Sequence, residues 1–469
     1  MLDAFLFLFV LGMLAIGLKK PFIWVLAYLY IDIIAPQKIG WTLMPILPVS
    51  LIAFVAAFAG WLLVDSKEGS RFTFRQGLMV ALLAYCGMTT LWADFPEDAF
   101  AKWDWVWKAM VFAIFLPLTL RTRVRIEAAV LAMVLALGAI IISGGIKTAT
   151  GGGGYGTLYF FVNDNTGLYE SSTIACVAIA AIPLMLWLMK HGTIFPPDWR
   201  VRLFGAALIF AALLIPVGTE ARTGLLCIGV LGMLLLRSVK RRFVYMAAGA
   251  LALVIAIPFL PQSFTERMST ISSHEGDESA STRVAVWMWT FDYVAEHPLG
   301  GGFDAYRSNS FTYRTRVTLD MGGGRTETVM QDVTDEGRAY HSSYFEMLGE
   351  QGWPGLTIWL LLHGLGLLQM EKLRRRYFSY RKRKKVEPRP EDQWKGSLAN
   401  ALQQAQIVYL VGSLFIGIAF QPFVLMIIGL QCGLWSYLQR VDSPARRARK
   451  PFKPAQQPDA VAAAGAALR

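Results

Sequence analysis

The side chains that could do chemistry gather in one polar stretch, Pro261 to Trp353, which holds three of the five histidines: His274, His297 and His341. His341 stands in AYHSSYFEMLGEQGWPG, just ahead of Ser343 and Glu346, whose spacing is that of a capping box. A helix is therefore predicted to start at Ser343 and end near Gly352, with Pro354 opening the next one. A helix N-terminus presents partly positive N–H groups to an anion. A neutral imidazole can take a proton from a hydroxyl at neutral pH. Base and anion site side by side would suit the transfer of a group from a phosphate-linked lipid to an alcohol. A loop histidine satisfied by a backbone carbonyl gives the same pattern, and a lone histidine does not decide between the two.

The arginines point the same way. From Ser281, STRVAVWMWTFDYVAEHPLGGG reads as one helix stopped by Pro298 and the glycines at 300–302. Arg283 and Trp287 are four apart and share a face of it. Simple packing of arginine on indole is one explanation. The whole stretch, however, carries seven arginines and no lysine, and arginine's rigid fork of donors suits a diphosphate, so Arg283 is a candidate phosphate ligand. Glu220 and Arg222, in VGTEARTGLL, stand where two apolar spans meet; they form either a functional pair or an ion pair satisfied by water. His274 lies in a solvated acidic run and His297 at a helix end where it suits the dipole. His191 and His363 have no visible partners for catalysis or for a metal. There is no HExxH or CxxC spacing, so neither a metal site nor a cofactor is expected.

The elements that must position these residues are membrane helices. The chain has 469 residues, 55% of them hydrophobic, and a mean hydropathy of +0.44. Apolar stretches occur near 4–18, 21–35, 47–64, 77–92, 105–120, 126–146, 171–189, 203–218, 222–237, 243–260, 354–371, 404–420 and 422–439. They predict an all-α polytopic membrane protein of 12 to 13 transmembrane helices with one large helical periplasmic loop. The chain divides into an N-terminal transmembrane region (1–190), central helices (191–260), the loop (261–353), C-terminal helices with a basic connection at 372–396 (354–440), and a disordered tail (441–469). Cys86, Cys176, Cys227 and Cys432 all fall in apolar spans and read as small core residues. AKWDWVWK, Ala101 to Lys108, reads as an aromatic belt. The glycine-rich connection Thr148 to Gly167 lacks the ending of a phosphate loop; Asn163, Asp164 and Asn165 there could touch a polar ligand. Between Arg314 and Arg338 the dispersed charge and the Gly322–Gly324 run predict a mobile flap.

Charge sets the orientation. The net charge of +12 would suggest nucleic acid in a soluble chain, but the basic residues cluster in alternate connections, as the positive-inside pattern requires. The polar stretch holds fourteen acidic residues against its seven arginines and is therefore expected outside the cytoplasm. The basic run Arg374 to Lys385 is expected to lie against membrane lipid, and no nucleic-acid partner is expected.

Three segments in order, EARTGLL, STRVAVWMWTFDYVAEHPLGGGFDAY and YHSSYFEMLGEQGWPGL, resemble the O-antigen ligase and polymerase family of membrane glycosyltransferases, which are GT-C-like. The family pattern falls on Arg222; on Arg283, Trp287, Pro298, Gly300 and Gly302; and on His341, Gly352 and Gly355, with Ser342 where the family usually has asparagine. The first 190 residues look more like the branch of O-glycosylation ligases associated with exosortase A systems. The resemblance implies a metal-independent, inverting transfer of a glycan from undecaprenyl diphosphate to an acceptor hydroxyl of a lipid, a glycan or a protein. It implies His341 as general base and Arg222 and Arg283 as clamps on the diphosphate. Tyr340, Ser342, Tyr344, Trp287 and Glu220 would line the site. A polymerase of the same family is the first alternative. A transporter of lipid-linked glycans is the second; it should concentrate charges near the bilayer midplane, where Asp32 is the clearest.

Overall fold

The protein is described by a computed structural model covering residues 2–152, 167–237, 241–256, 260, 264–265, 278–320, 326–378 and 390–442. Helices dominate: α1 (Leu2–Lys19), α2 (Phe22–Ile34), α3 (Val49–Leu63), α4 (Phe74–Thr89), α5 (Pro96–Thr119), α6 (Arg123–Ala149), α7 (Ser171–His191), α8 (Trp199–Gly218), α9 (Arg222–Leu236), α10 (Arg242–Ala256) and α11 (Glu278–Glu296) come before a hairpin of β1 (Ser310–Asp320) and β2 (Thr326–Glu336), and α12 (Ser343–Phe378), α13 (Pro390–Gly412) and α14 (Pro422–Val441) follow it. Every predicted apolar stretch carries one of these helices. Among the described residues α1, α6, α7, α8 and α14 are long and apolar enough to cross a membrane, and α2, α3 and α9 are shorter apolar helices. The chain is an all-α polytopic membrane protein. α13 packs between α12 and α7, α14 lies along α5, and α4 lies along α12.

The bundle has two chemically distinct ends. At one, arginines tie helix termini together. Arg125 grips Asp65 through two hydrogen bonds of 2.5 and 2.8 Å, and Arg123 donates to the carbonyl of His191 at 2.9 Å. Arg440 reaches the carbonyls of Gly69 and Arg121, and Arg237 pairs with Glu371 at 3.1 Å. The connections α3–α4 and α5–α6 and the last turns of α7, α9, α12 and α14 thus share this basic end. The opposite ends of the same helices, with the starts of α5, α7, α9, α12 and α14, form the other face, where the candidate residues lie.

Three expectations of the fold change. The stretch expected as a flap contains an antiparallel hairpin, Ser310 facing Glu336 through Asp320 facing Thr326. Its threonines, valines and Tyr313 are strand formers, and the charge dispersed among them, which argued against regular structure, does not keep the two strands from pairing. The Gly322–Gly324 run lies outside the described residues. The predicted span 404–420 is helical only to Gly412; the rest is a non-helical segment that folds over the site. The aromatic belt at 101–108 is an interface only in part, since Trp103 packs against Phe303 and Lys102 turns inward. His363 is held structurally: buried beside Trp359, its Nδ1 meets Gln406 at 2.9 Å. Gln406 accepts from Gln431, which accepts from the fully buried Arg75, so the polar chain links α12, α13, α14 and α4 inside the bundle. His274, Asn163, Asp164, Asn165, residues 379–389 and the tail from 443 lie outside the described residues. All four cysteines are buried.

Candidate functional site

The site is built around the entry to α12. Asn309, buried, clamps the chain leaving β2: its side chain accepts from the N–H of Arg338 at 2.9 Å and donates to the Arg338 carbonyl at 2.7 Å. Tyr340 then turns inward. Its ring lies across Gly349, where a Cβ would come within 2.1 Å of the hydroxyl, and its carbonyl accepts from Trp287 Nε1 at 2.9 Å. Past it, Ser342 and Ser343 are buried. His341, pinned between these anchors, takes a left-handed backbone, φ +47°, at a cost of about 1–2 kcal/mol for a non-glycine residue. Such a conformation persists only where its surroundings over-determine it. The ring is left at the surface while both neighbours are held in the core.

The expected capping box does not form. Ser343 is the first residue of α12, and Glu346 N donates to the carbonyl of Ser342 at 2.8 Å. The Ser343 hydroxyl instead donates to Ile416 O and accepts from Ile418 N, both at 2.9 Å, and Ser343 N donates to Ser413 O at 2.8 Å. The non-helical end of α13 is therefore stitched to the start of α12. The Glu346 carboxylate takes part as well, accepting from Ala419 N at 3.0 Å.

In the first turns of α12, past His341, lies a charge cluster that reading the sequence missed. Lys102 of α5 reaches Glu350 at 2.7 Å, Glu346 at 2.9 Å and Asp304 at 3.5 Å. Glu350 is wholly buried and also accepts from Asp304 N at 3.0 Å. One ammonium thus holds α12, α5 and the turn after α11 in a single register, and removing it would leave three carboxylates in a poorly solvated place. Two glycines permit the same docking. Gly352, φ +60°, kinks α12, and Gly300, φ +84°, passes so close that a Cβ on it would meet Gly352 N at 2.4 Å. Gly301 N and Gly302 N donate to the carbonyls of Gly349 and Glu350. The signal available was Glu346 and Glu350, one turn apart among apolar neighbours; their partner, 244 and 248 residues distant in sequence, was not visible.

Arg283 enters from the first turns of α11. That helix is fixed to α12 by Trp287, which stacks on Phe345 with an interplanar angle of 2°. The guanidinium stands close enough to His341 to help depress its pKa. Desolvation by the packed neighbours is the larger cause, although one side of the residue stays open to solvent; Arg283 adds to it, Glu170 partly opposes it, and Arg338 contributes in the same direction as Arg283. The imidazole is thus held neutral at neutral pH. Glu170 caps α7, accepting from Ser172 N at 3.1 Å and Thr173 N at 2.6 Å. It is a second group that the sequence reading did not single out. Arg222 opens α9 after the corner at Glu220, which is buried and has φ +50°. Two residues on, Gly224 presses against Ala175 of α7, so Arg222 and Glu170 begin neighbouring helices. Trp287 and Tyr340 act here as struts. Tyr344, half-buried, donates to Leu410 O at 3.1 Å. His297 stacks on Tyr293 at the end of α11, and its Nδ1 lies 3.2 Å from the Tyr293 carbonyl.

Residues 206–360, which contain Arg222, Arg283 and His341, match the family model described as O-antigen ligase. Residues 1–193 match a family described as of unknown function (DUF5935). No curated protein matches the chain. The first match supports the O-antigen ligase/polymerase family and, with it, a glycosyltransferase-like membrane enzyme.

Proposed function

We propose that this enzyme transfers a glycan from undecaprenyl diphosphate to an acceptor hydroxyl, as an O-antigen ligase or O-glycosylation ligase of the periplasmic face. The observation that carries the reading is His341: a neutral imidazole, exposed on a left-handed backbone beside Arg283, at the end of the bundle opposite the basic one. His341 takes the proton of the acceptor hydroxyl as its oxygen forms a bond to the anomeric carbon. The bond from that carbon to the diphosphate oxygen breaks, and the electron pair leaves with the lipid diphosphate. Arg283 and Arg222 stabilise the charge that grows there. Attack from the face opposite the leaving group inverts the anomeric centre, and the chain's own residues suffice for both tasks. The basic connections at the other end favour the cytoplasmic side, which supports a periplasmic site.

His341→Ala is expected to stay folded, to bind the lipid-linked donor, and to lose transfer by about 10²–10⁴-fold, the range of general base catalysis. Wild-type rates with purified H341A would remove the assignment. Deleting the gene separates acceptors: unattached lipid-linked chains indicate a ligase, single repeats a polymerase, and unmodified protein an O-glycosylation enzyme.

A further inference from the structure

At the basic end of the bundle α6, α7 and α8 leave an apolar slot between them. It measures about 330 Å³ and is walled by Leu131 and Leu135 of α6, Met185 and Met189 of α7, and Phe204 and Leu208 of α8. Leu135 and Phe204 are exposed, so the slot opens sideways, onto the surface that hydrocarbon covers, and not into the bundle. Arg200, in the first turn of α8, lines its mouth. Lys190, Arg200 and Arg202 are all exposed there, and Trp199 and Phe195 stand out beside them at 64% and 56% exposure. Exposed aromatic rings next to cations mark the level of lipid head groups.

Two acids lie in this region. Glu127 is in the wall, but both its oxygens are occupied, by Thr193 N at 2.5 Å, Ile194 N at 2.6 Å and the Thr193 hydroxyl at 2.5 Å. Asp198 is the exposed residue preceding α8 and makes no side-chain cap. Three exposed cations therefore face one exposed acid at the mouth of a cavity with an apolar lining. A second copy of this chain would bring its own cations against these, which disfavours it as the occupant.

We propose that the slot binds one acyl chain of an anionic glycerophospholipid, with the lipid phosphate held by Arg200 and its basic neighbours. The site lies at the end of α7 and the start of α8, whereas Glu170 and Glu220 lie at their other ends, so it is separated from His341 by the length of these helices. Binding here is independent of the transfer reaction.

The test uses the full chain in mild detergent, offered equal amounts of phosphatidylglycerol and phosphatidylcholine and read by native mass spectrometry. Wild type is expected to retain one phosphatidylglycerol in preference. Arg200→Glu is expected to weaken that preference by about fivefold or more, the effect of a cation near a phosphate surface. Leu135→Trp, which fills the slot, is expected to lose retention of both lipids while keeping its unfolding temperature and its transfer activity. Equal retention of the two lipids by wild type overturns the proposal, as does unchanged retention by Leu135→Trp. If Leu135→Trp proves unstable, Leu131→Phe serves in its place with the same expected loss. Cross-linking of two chains through this surface at the expense of lipid also overturns it.

Discussion

The two ends of the bundle solve opposite problems. The basic end is held by arginines reaching backbone carbonyls and half-buried carboxylates such as Asp65 and Glu371 across short distances, with ordinary helix termini. The site end is held by backbone contacts through glycines and by one buried lysine. All four positive-φ residues other than glycine found among the described residues, Ala35, Glu220, Asp304 and His341, lie there. Each costs of order 1–3 kcal/mol and persists only where neighbours impose it. The difference teaches that one end ties helix termini together through charged side chains, while the other stores backbone strain around the residues proposed for transfer. Of the strained residues, His341 is the one that exposes its side chain where a substrate could meet it.

That contrast can be broken first at Lys102. Lys102→Met leaves Asp304, Glu346 and Glu350 without their cation and is expected to cost about 3–5 kcal/mol, read as a fall in unfolding temperature together with loss of transfer. A variant that melts with wild type would show that the cluster does not hold the site end together. Next, Arg283→Lys keeps the charge but not the fork. Transfer should fall by about 10²–10³-fold, the loss seen when one charge-stabilising donor is removed, with no change in melting; full activity would take Arg283 off the diphosphate.

A smaller effect sharpens the electrostatics. Because burial and Arg283 lower the His341 pKa, the neutral base is already complete at neutral pH, and activity should decline only as pH falls below the usual histidine range. Glu170 opposes that shift, so Glu170→Gln, which keeps a capping oxygen for α7, should move the acid limb of kcat/KM to still lower pH. Movement in the other direction would contradict the placement of Glu170. The smallest change is expected at the basic end. Arg440→Ala should cost about 1 kcal/mol, an ordinary net hydrogen-bond contribution, and leave transfer intact. A loss equal to that of Lys102→Met would erase the contrast between the two ends.

Much of the architecture was legible because membrane helices write themselves locally: about 20 apolar residues cross a bilayer, and Arg121–Arg125 or Lys190–Arg202 mark one side without reference to anything distant. The helix of Arg283, its stop at Pro298 and the break at Gly352 were equally local. The hairpin at 310–336 was not legible, since charges dispersed among its strand formers weaken the periodic signal. The capping box at Ser343 and Glu346 was misread for a related reason: both side chains satisfy the local rule on paper but are drawn away by Ile416, Ile418 and Lys102.

By itself the sequence determined the helices, their alternating charge, and the residue types His341, Arg283 and Arg222. Only the tertiary structure decided that Lys102 belongs to Glu346 and Glu350, that Glu170 comes near enough to His341 for its charge to act on the imidazole, and that His341 is turned outward on a strained backbone. The physical reason is range. Hydrophobic period and charge bias act over one helix, whereas burial of an ion cluster and imposition of an unfavourable φ depend on segments hundreds of residues apart that meet only when the bundle closes.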